Sequence, residues 1–146
     1  MSNAAAFSEL ASIRRRLQEI ALGPMSPPAK AVKQAVVDAS LVLIRRGFLS
    51  ESSPDGRPWA RKKIDNGPIL VKSGKMMRAW RGHPTVRGIS LTNSRPYSAY
   101  QNYGYFQPHY LVARPMVPSQ FRPLPKAWER AWNDAANKAL ERYMHW

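Results

Sequence analysis

Residues 26–47 read SPPAKAVKQAVVDASLVLIRRG, and the fold turns on how that stretch must be covered. Ser26 ahead of Pro27 and Pro28 marks a helix start: the hydroxyl can accept from a first-turn N–H, and proline suits positions whose own N–H would lack a partner. From about Ala29 to Arg46 the residues are mostly Ala, Val, Leu and Ile, with Gly47 expected to stop the helix and Arg45 and Arg46 near its negative end. Val32, Val36, Ala39 and Leu43 line one side, and Val37, Leu41 and Ile44 another. A helix apolar on more than one face is central, covered by a sheet and a further helix or by a neighbouring subunit.

Working towards the N-terminus, Phe7, Leu10, Ile13, Leu17 and Ile20 recur every three or four residues, which predicts an amphipathic helix ending before Gly23-Pro24. Residues 1–6 are expected to be a flexible lead-in. Working the other way, Ser50 to Pro58 reads as a loop with a Pro-Asp-Gly turn, followed at once by Trp59. Ser73 to Trp80 predicts a short helix with Met76, Met77 and Trp80 as its apolar members. Val86 to Thr92 alternates apolar and polar residues and predicts a strand, paired with residues near 69–71 or 110–112. Tyr97, Tyr100 and Tyr103 are spaced by three and stop at Gly104, one or two helical turns. Residues 105–125 contain several prolines and should be extended and irregular, and a last helix is expected from about Pro125 to Tyr143 with Leu124, Trp128, Ala131, Ala135 and Ala139 on one face. The expected class is α+β: a small, mostly antiparallel sheet flanked by two N-terminal helices and a C-terminal helix, in a single domain over residues 1–146.

The chain of 146 residues carries 23 Lys and Arg against 9 Asp and Glu, a formal net charge of +14. Thirteen of the basic residues lie from Arg57 to Lys126, with Asp65 the one acid among them, so the charge belongs to the middle of the chain. Such an imbalance calls for an anionic or acidic partner. With no Cys, disulfides and thiolate chemistry are excluded. No apolar run approaches the roughly 18 to 20 residues of a membrane span, and the N-terminus lacks a signal-peptide core, so the expectation is a soluble chain made in the cytoplasm with no membrane partner.

Catalysis finds little footing. From Asn66 through Trp128 there is no Asp or Glu, and His83, His109 and His145 lie far apart without a second ligand at helical spacing. Ser73-Gly74-Lys75 lacks the rest of a phosphate-loop pattern. No cofactor and no metal are expected. Nucleic-acid binding has more behind it: five of the six tyrosines fall between Tyr97 and Tyr110, beside Arg95, Arg114 and Phe106, and rings next to basic groups suit single strands. A tyrosine cluster near a proline-rich stretch is more often the core of a small sheet or a protein interface, where Tyr and Arg are enriched. Arg61, Lys62, Lys63, Arg78 and Arg81 are the candidates for contact with phosphates or an acidic partner.

In order along the chain stand Phe48, Pro54-Asp55-Gly56-Arg57-Pro58-Trp59, Ile69-Leu70-Val71-Lys72-Ser73-Gly74, Tyr97-Ser98-Ala99-Tyr100-Gln101-Asn102-Tyr103-Gly104 and Ala113-Arg114-Pro115-Met116-Val117-Pro118. The series resembles the virion-morphogenesis or tail-completion family of long-tailed phages and Mu-like prophages, over residues 48 to 118. The resemblance implies a non-enzymatic protein of the virion neck or head-proximal tail end. Such a protein acts as an oligomeric ring, for instance a hexamer, that completes or terminates the tail and joins it to the head connector. Its implied partners are further copies of itself, tail-tube and neck proteins, and phage DNA in the lumen. On that reading Trp59, Tyr97, Tyr100, Gly104, Arg114 and Pro115 form the interface: Trp59 as a hydrophobic anchor, Gly104 as a turn with positive φ, and Arg114-Pro115 as a fixed bend offering a guanidinium to a carboxylate or backbone acceptor.

Overall fold

Ser26 begins the central helix as its sequence predicts. Its backbone is extended (φ −61°, ψ 157°), and its hydroxyl accepts from Ala29 N at 3.4 Å above Pro27 and Pro28. In this computed structural model, residues 23–61, 74–104, 111, 113–119 and 121–142 are described. Helix α1 covers Pro27–Ser50, α2 Lys75–Arg78, β1 Trp80–Thr85, β2 Gly88–Asn93, α3 Ser98–Tyr103 and α4 Lys126–Glu141. The helix expected over residues 7–22 lies outside the described residues, as do the proposed strand near Ile69, Lys62 and Lys63, and the tyrosines at 105 and 110. The fold is α+β, with helices around a small antiparallel sheet.

Gly47 does not stop α1. The helix runs on to Ser50 and ends at Glu51, whose φ of 54° turns the chain out and lets its N–H reach Gly47 O. Ser52 N bonds the same carbonyl at 3.0 Å, so Gly47 sits where the departing chain folds back on the last turn. Val37, Ser40, Ile44 and Phe48 form the fully buried face of α1, spaced for one stripe. That face packs along α4, against both strands and against α2, as a helix with apolar residues on several sides requires.

Gly88–Asn93 is a strand, and the partner the structure gives it is the preceding Trp80–Thr85; of the partners expected for it, residues 69–71, 110 and 112 lie outside the described residues. The two form a hairpin around Val86-Arg87, with Trp80 opposite Asn93, Gly82 opposite Leu91 and Pro84 opposite Ile89. The helix expected over Ser73 to Trp80 shrinks to Lys75–Arg78, because Trp80 is committed to β1. On β1 the exposed Arg81 and His83 alternate with Trp80, Gly82 and Pro84, whose partners Asn93, Leu91 and Ile89 share the inward face, while on β2 Thr92 is the exposed position and the others are half-buried. At Gly82 a Cβ would lie 2.6 Å from Val37 Cγ1 and 3.0 Å from Leu91 Cδ2, so only glycine lets the hairpin settle on α1.

Lys33 fastens the tip of that hairpin. Its Nζ donates to Pro24 O at 2.6 Å, Thr85 O at 2.7 Å and Val86 O at 3.1 Å, tying the entry to α1, the helix itself and the β-turn together. The core proper gathers Ile44, Phe48, Trp59, Met76, Trp80, Met116 and Trp128, with Leu41, Leu91, Val117 and Trp132 packed on its rim. Burial of such side chains contributes about 1.5–3 kcal/mol each. Ser40, fully enclosed, is satisfied: it donates to Val36 O at 2.8 Å and accepts from Trp132 Nε1 at 2.8 Å. No helix among the described residues is long and apolar enough to cross a membrane.

Candidate functional site

The Pro-Asp-Gly loop is a tight reversal. Gly56 N bonds Ser53 O and Ser53 N bonds Arg57 O, both at 2.8 Å, and Trp59 N returns to Glu51 O at 2.7 Å. Asp55 Oδ1 accepts from Arg57 N at 3.2 Å, a local bond that favours the turn. The reversal delivers Trp59 back onto the end of α1, where its ring meets Phe48 edge to face with centroids 5.4 Å apart. Trp59 is 4% exposed, so its ring serves this chain's own core and offers nothing to a second chain.

Trp59 Nε1 donates to Pro115 O at 2.8 Å, joining residues 56 apart in sequence. Next to it Arg114, 8% exposed, donates from Nε to Ala60 O at 2.8 Å and from a terminal nitrogen to Arg61 O at 3.3 Å. A guanidinium spans two successive carbonyls because its donors are held in a planar fork. Of the two acceptors expected for the guanidinium, a carboxylate or the backbone, the structure shows the backbone, and the acceptors are main-chain atoms of the same chain. Arg114 N also donates to Gln101 O at 2.7 Å, which brings α3 into the junction.

Asn102 completes the brace. Its side chain is buried, and Oδ1 accepts from Met116 N at 2.7 Å and Val117 N at 3.3 Å. Nothing in the sequence marks Asn102 for this role, because its partners stand 14 and 15 residues further along the chain. Gly104 ends α3 with φ 80° and ψ 175°, and its N–H reaches Tyr100 O at 2.8 Å. A Cβ there would stand 2.9 Å from Leu111 O and 3.1 Å from Ala113 N, so the positive φ and the close approach both call for glycine.

Three of the quoted sequence pieces therefore meet in one hydrogen-bonded unit: the Asp55–Trp59 loop, the Tyr97–Gly104 helix and the Ala113–Val117 segment. With Ser98 and Asn102 buried on its inner side, α3 turns Tyr97 (55% exposed), Tyr100 (51%) and Tyr103 (71%) to solvent. Of the expected interface set, Tyr97 and Tyr100 lie on the surface, Gly104 is half-buried and sets the backbone, and Trp59, Arg114 and Pro115 hold the scaffold beneath them. The basic set does not gather into one clamp. Arg61 faces Glu51 at 3.5 Å, while Arg81 is folded back on its own backbone, donating to Arg78 O at 2.6 Å and Trp80 O at 3.0 Å. Among the described residues no group of three His, Asp or Glu side chains is placed to hold a metal ion.

No family model matches the chain, and no curated protein or solved structure is significantly similar to it.

Proposed function

We propose that the chain is a non-enzymatic structural subunit of the head-tail junction of a long-tailed phage. It completes or terminates the tail and joins it to the head connector as an oligomeric ring, in the virion neck. One observation carries this reading: the loop, helix and Ala-Arg-Pro pieces that resemble the tail-completion family are bonded to one another through Trp59, Arg114 and Asn102, and hold a row of exposed tyrosines. Tyrosine and arginine on a rigid support are favoured at protein interfaces, because large rings lose little freedom when they dock. The test replaces Tyr97, Tyr100 and Tyr103 together by serine. Folding should be unchanged by circular dichroism, while ring assembly, measured as mass by light scattering and as rings by electron microscopy, should fail. A variant that still assembles and still complements tail joining would sink the interface assignment.

The same face favours one other reading. Three exposed rings at a spacing of three, in a chain of net charge +14, form a stacking row suited to single-stranded nucleic acid. Binding of that kind weakens steeply with salt as counterions are released. A titration against oligonucleotides at rising salt separates the two: a steep slope lost in the triple serine variant speaks for nucleic acid, and no binding at low salt dismisses it.

A further inference from the structure

The hairpin has two edges of different character. In the pair Thr85–Gly88, which closes the two-residue turn, the residues exchange backbone hydrogen bonds, so the bonded pairs are Thr85–Gly88, His83–Ser90 and Arg81–Thr92. Pro84, which has no N–H, falls in the alternate set, as it must. On β2 the N–H and C=O groups of Ile89 and Leu91 consequently point away from β1. No hydrogen bond of the described residues reaches them from that side. On β1 the corresponding outward edge is blunted by Pro84.

Beside the open edge lies a cleft of about 450 Å³ walled by Ile89, Leu91, Tyr103, Val117, Leu124 and Trp132. It combines main-chain donors and acceptors left unpaired by the described residues with an apolar wall, the two things that an added strand uses for affinity and for side-chain selection. The residues lining the cleft include Arg122 and no acid, and Arg81 and Arg87 are exposed on the hairpin beside it. A second copy pairing through the same edge would set these arginines against their own counterparts.

We infer that the outer edge of β2 receives an extended acidic segment of another protein, which adds a third strand at Ile89 and Leu91. Alternate apolar side chains of that segment enter the cleft, and its carboxylates lie on the outward face near Arg81 and Arg87. The inference rests on strand register, the cleft and charge, and peptide binding with amide exchange reads it separately from ring assembly.

The test uses the full chain, a capped nonapeptide alternating Glu with Val, its Lys–Val counterpart, and a Glu–Val form N-methylated at every second peptide nitrogen. Fluorescence anisotropy gives affinity, and amide exchange by NMR reports on Ile89 and Leu91. The Glu–Val peptide should bind and slow exchange at both amides about tenfold or more, and the other two peptides should bind about tenfold or more weaker. Ile89→Pro removes an N–H that the hairpin does not use and should weaken the Glu–Val peptide about tenfold. Tyr103→Ser, at a mostly exposed wall of the cleft, should weaken it with the fold intact. Unchanged exchange at Ile89 and Leu91 in saturating peptide would overturn the inference. So would equal binding of the Lys–Val peptide, or a doubled mass with both amides protected in the absence of peptide, which would make a second copy the occupant.

Discussion

The helical layer and the brace hold their residues by different means. Between α1 and α4 the contacts are apolar side chains at helical spacing, with one polar link, Ser40 to Trp132. In the brace of residues 51–61, 98–104 and 113–117 the one regular element is the short helix α3, and single side chains bond to main-chain atoms far away in sequence. An interface of many small contacts degrades gradually when one is lost. Losing one contact of a brace made of few polar bonds leaves a main-chain group without its partner, and where that group is buried, as at Met116 N, this is the costlier event per atom removed.

The sharpest way to break the contrast is Trp59→Ala, which removes both a core ring and the bond to Pro115 O. It should cost about 3–5 kcal/mol, read from urea denaturation midpoints. A loss below that of a helical-layer change such as Ser40→Ala would put the brace outside the folding core. Arg114→Ala comes next, at about 1.5–3 kcal/mol, because Ala60 O and Arg61 O lose a charged donor. Arg114→Lys should recover only part of this, since an ammonium cannot reproduce the fork over two carbonyls; equal stability of the lysine form would show that charge alone matters there. Asn102→Leu strands two N–H groups and should cost about 1–3 kcal/mol, whereas Asn102→Asp, which keeps the acceptor, should stay closer to the parent. Ser40→Ala is the smallest, about 1 kcal/mol, and tests the single polar link of the helical layer through the environment of Trp132 fluorescence.

The same contrast governs what could be read in advance. Helices α1 and α4 announce themselves through period, and α1 also through its N-cap, because Ser26, Pro27 and the Val–Leu–Ile run act within a few residues of one another. Gly104 is legible for the same reason: it follows a tyrosine-spaced turn. Strand β1 was not, since two of its inward positions are Gly82 and Pro84, residues that ordinarily argue against a strand. They are there because Val37 crosses closely at Gly82 and because Pro84 sits where no N–H is needed. Nor does the turn at Val86-Arg87 carry a glycine or asparagine, and neither residue has positive φ, so the usual hairpin signature is missing. In the candidate site, motif spacing picked out Trp59, Arg114 and Pro115 but not their direction. Whether a guanidinium beside a proline faces a partner or its own backbone depends on carbonyls some fifty residues away, which spacing does not encode.

The lysine at the hairpin tip has a kinetic consequence. Lys33 has three ammonium hydrogens and gives them to three carbonyls, two of which lie 52 and 53 residues away. Acylating reagents need a deprotonated, unhindered amine, so Lys33 can react only in the moments when the tip has swung clear. Lys30, one turn earlier and exposed, is open to reagent throughout. The ratio of modification at these two neighbours, read by mass spectrometry from one peptide, is a built-in clock for how often the hairpin lets go of the helix.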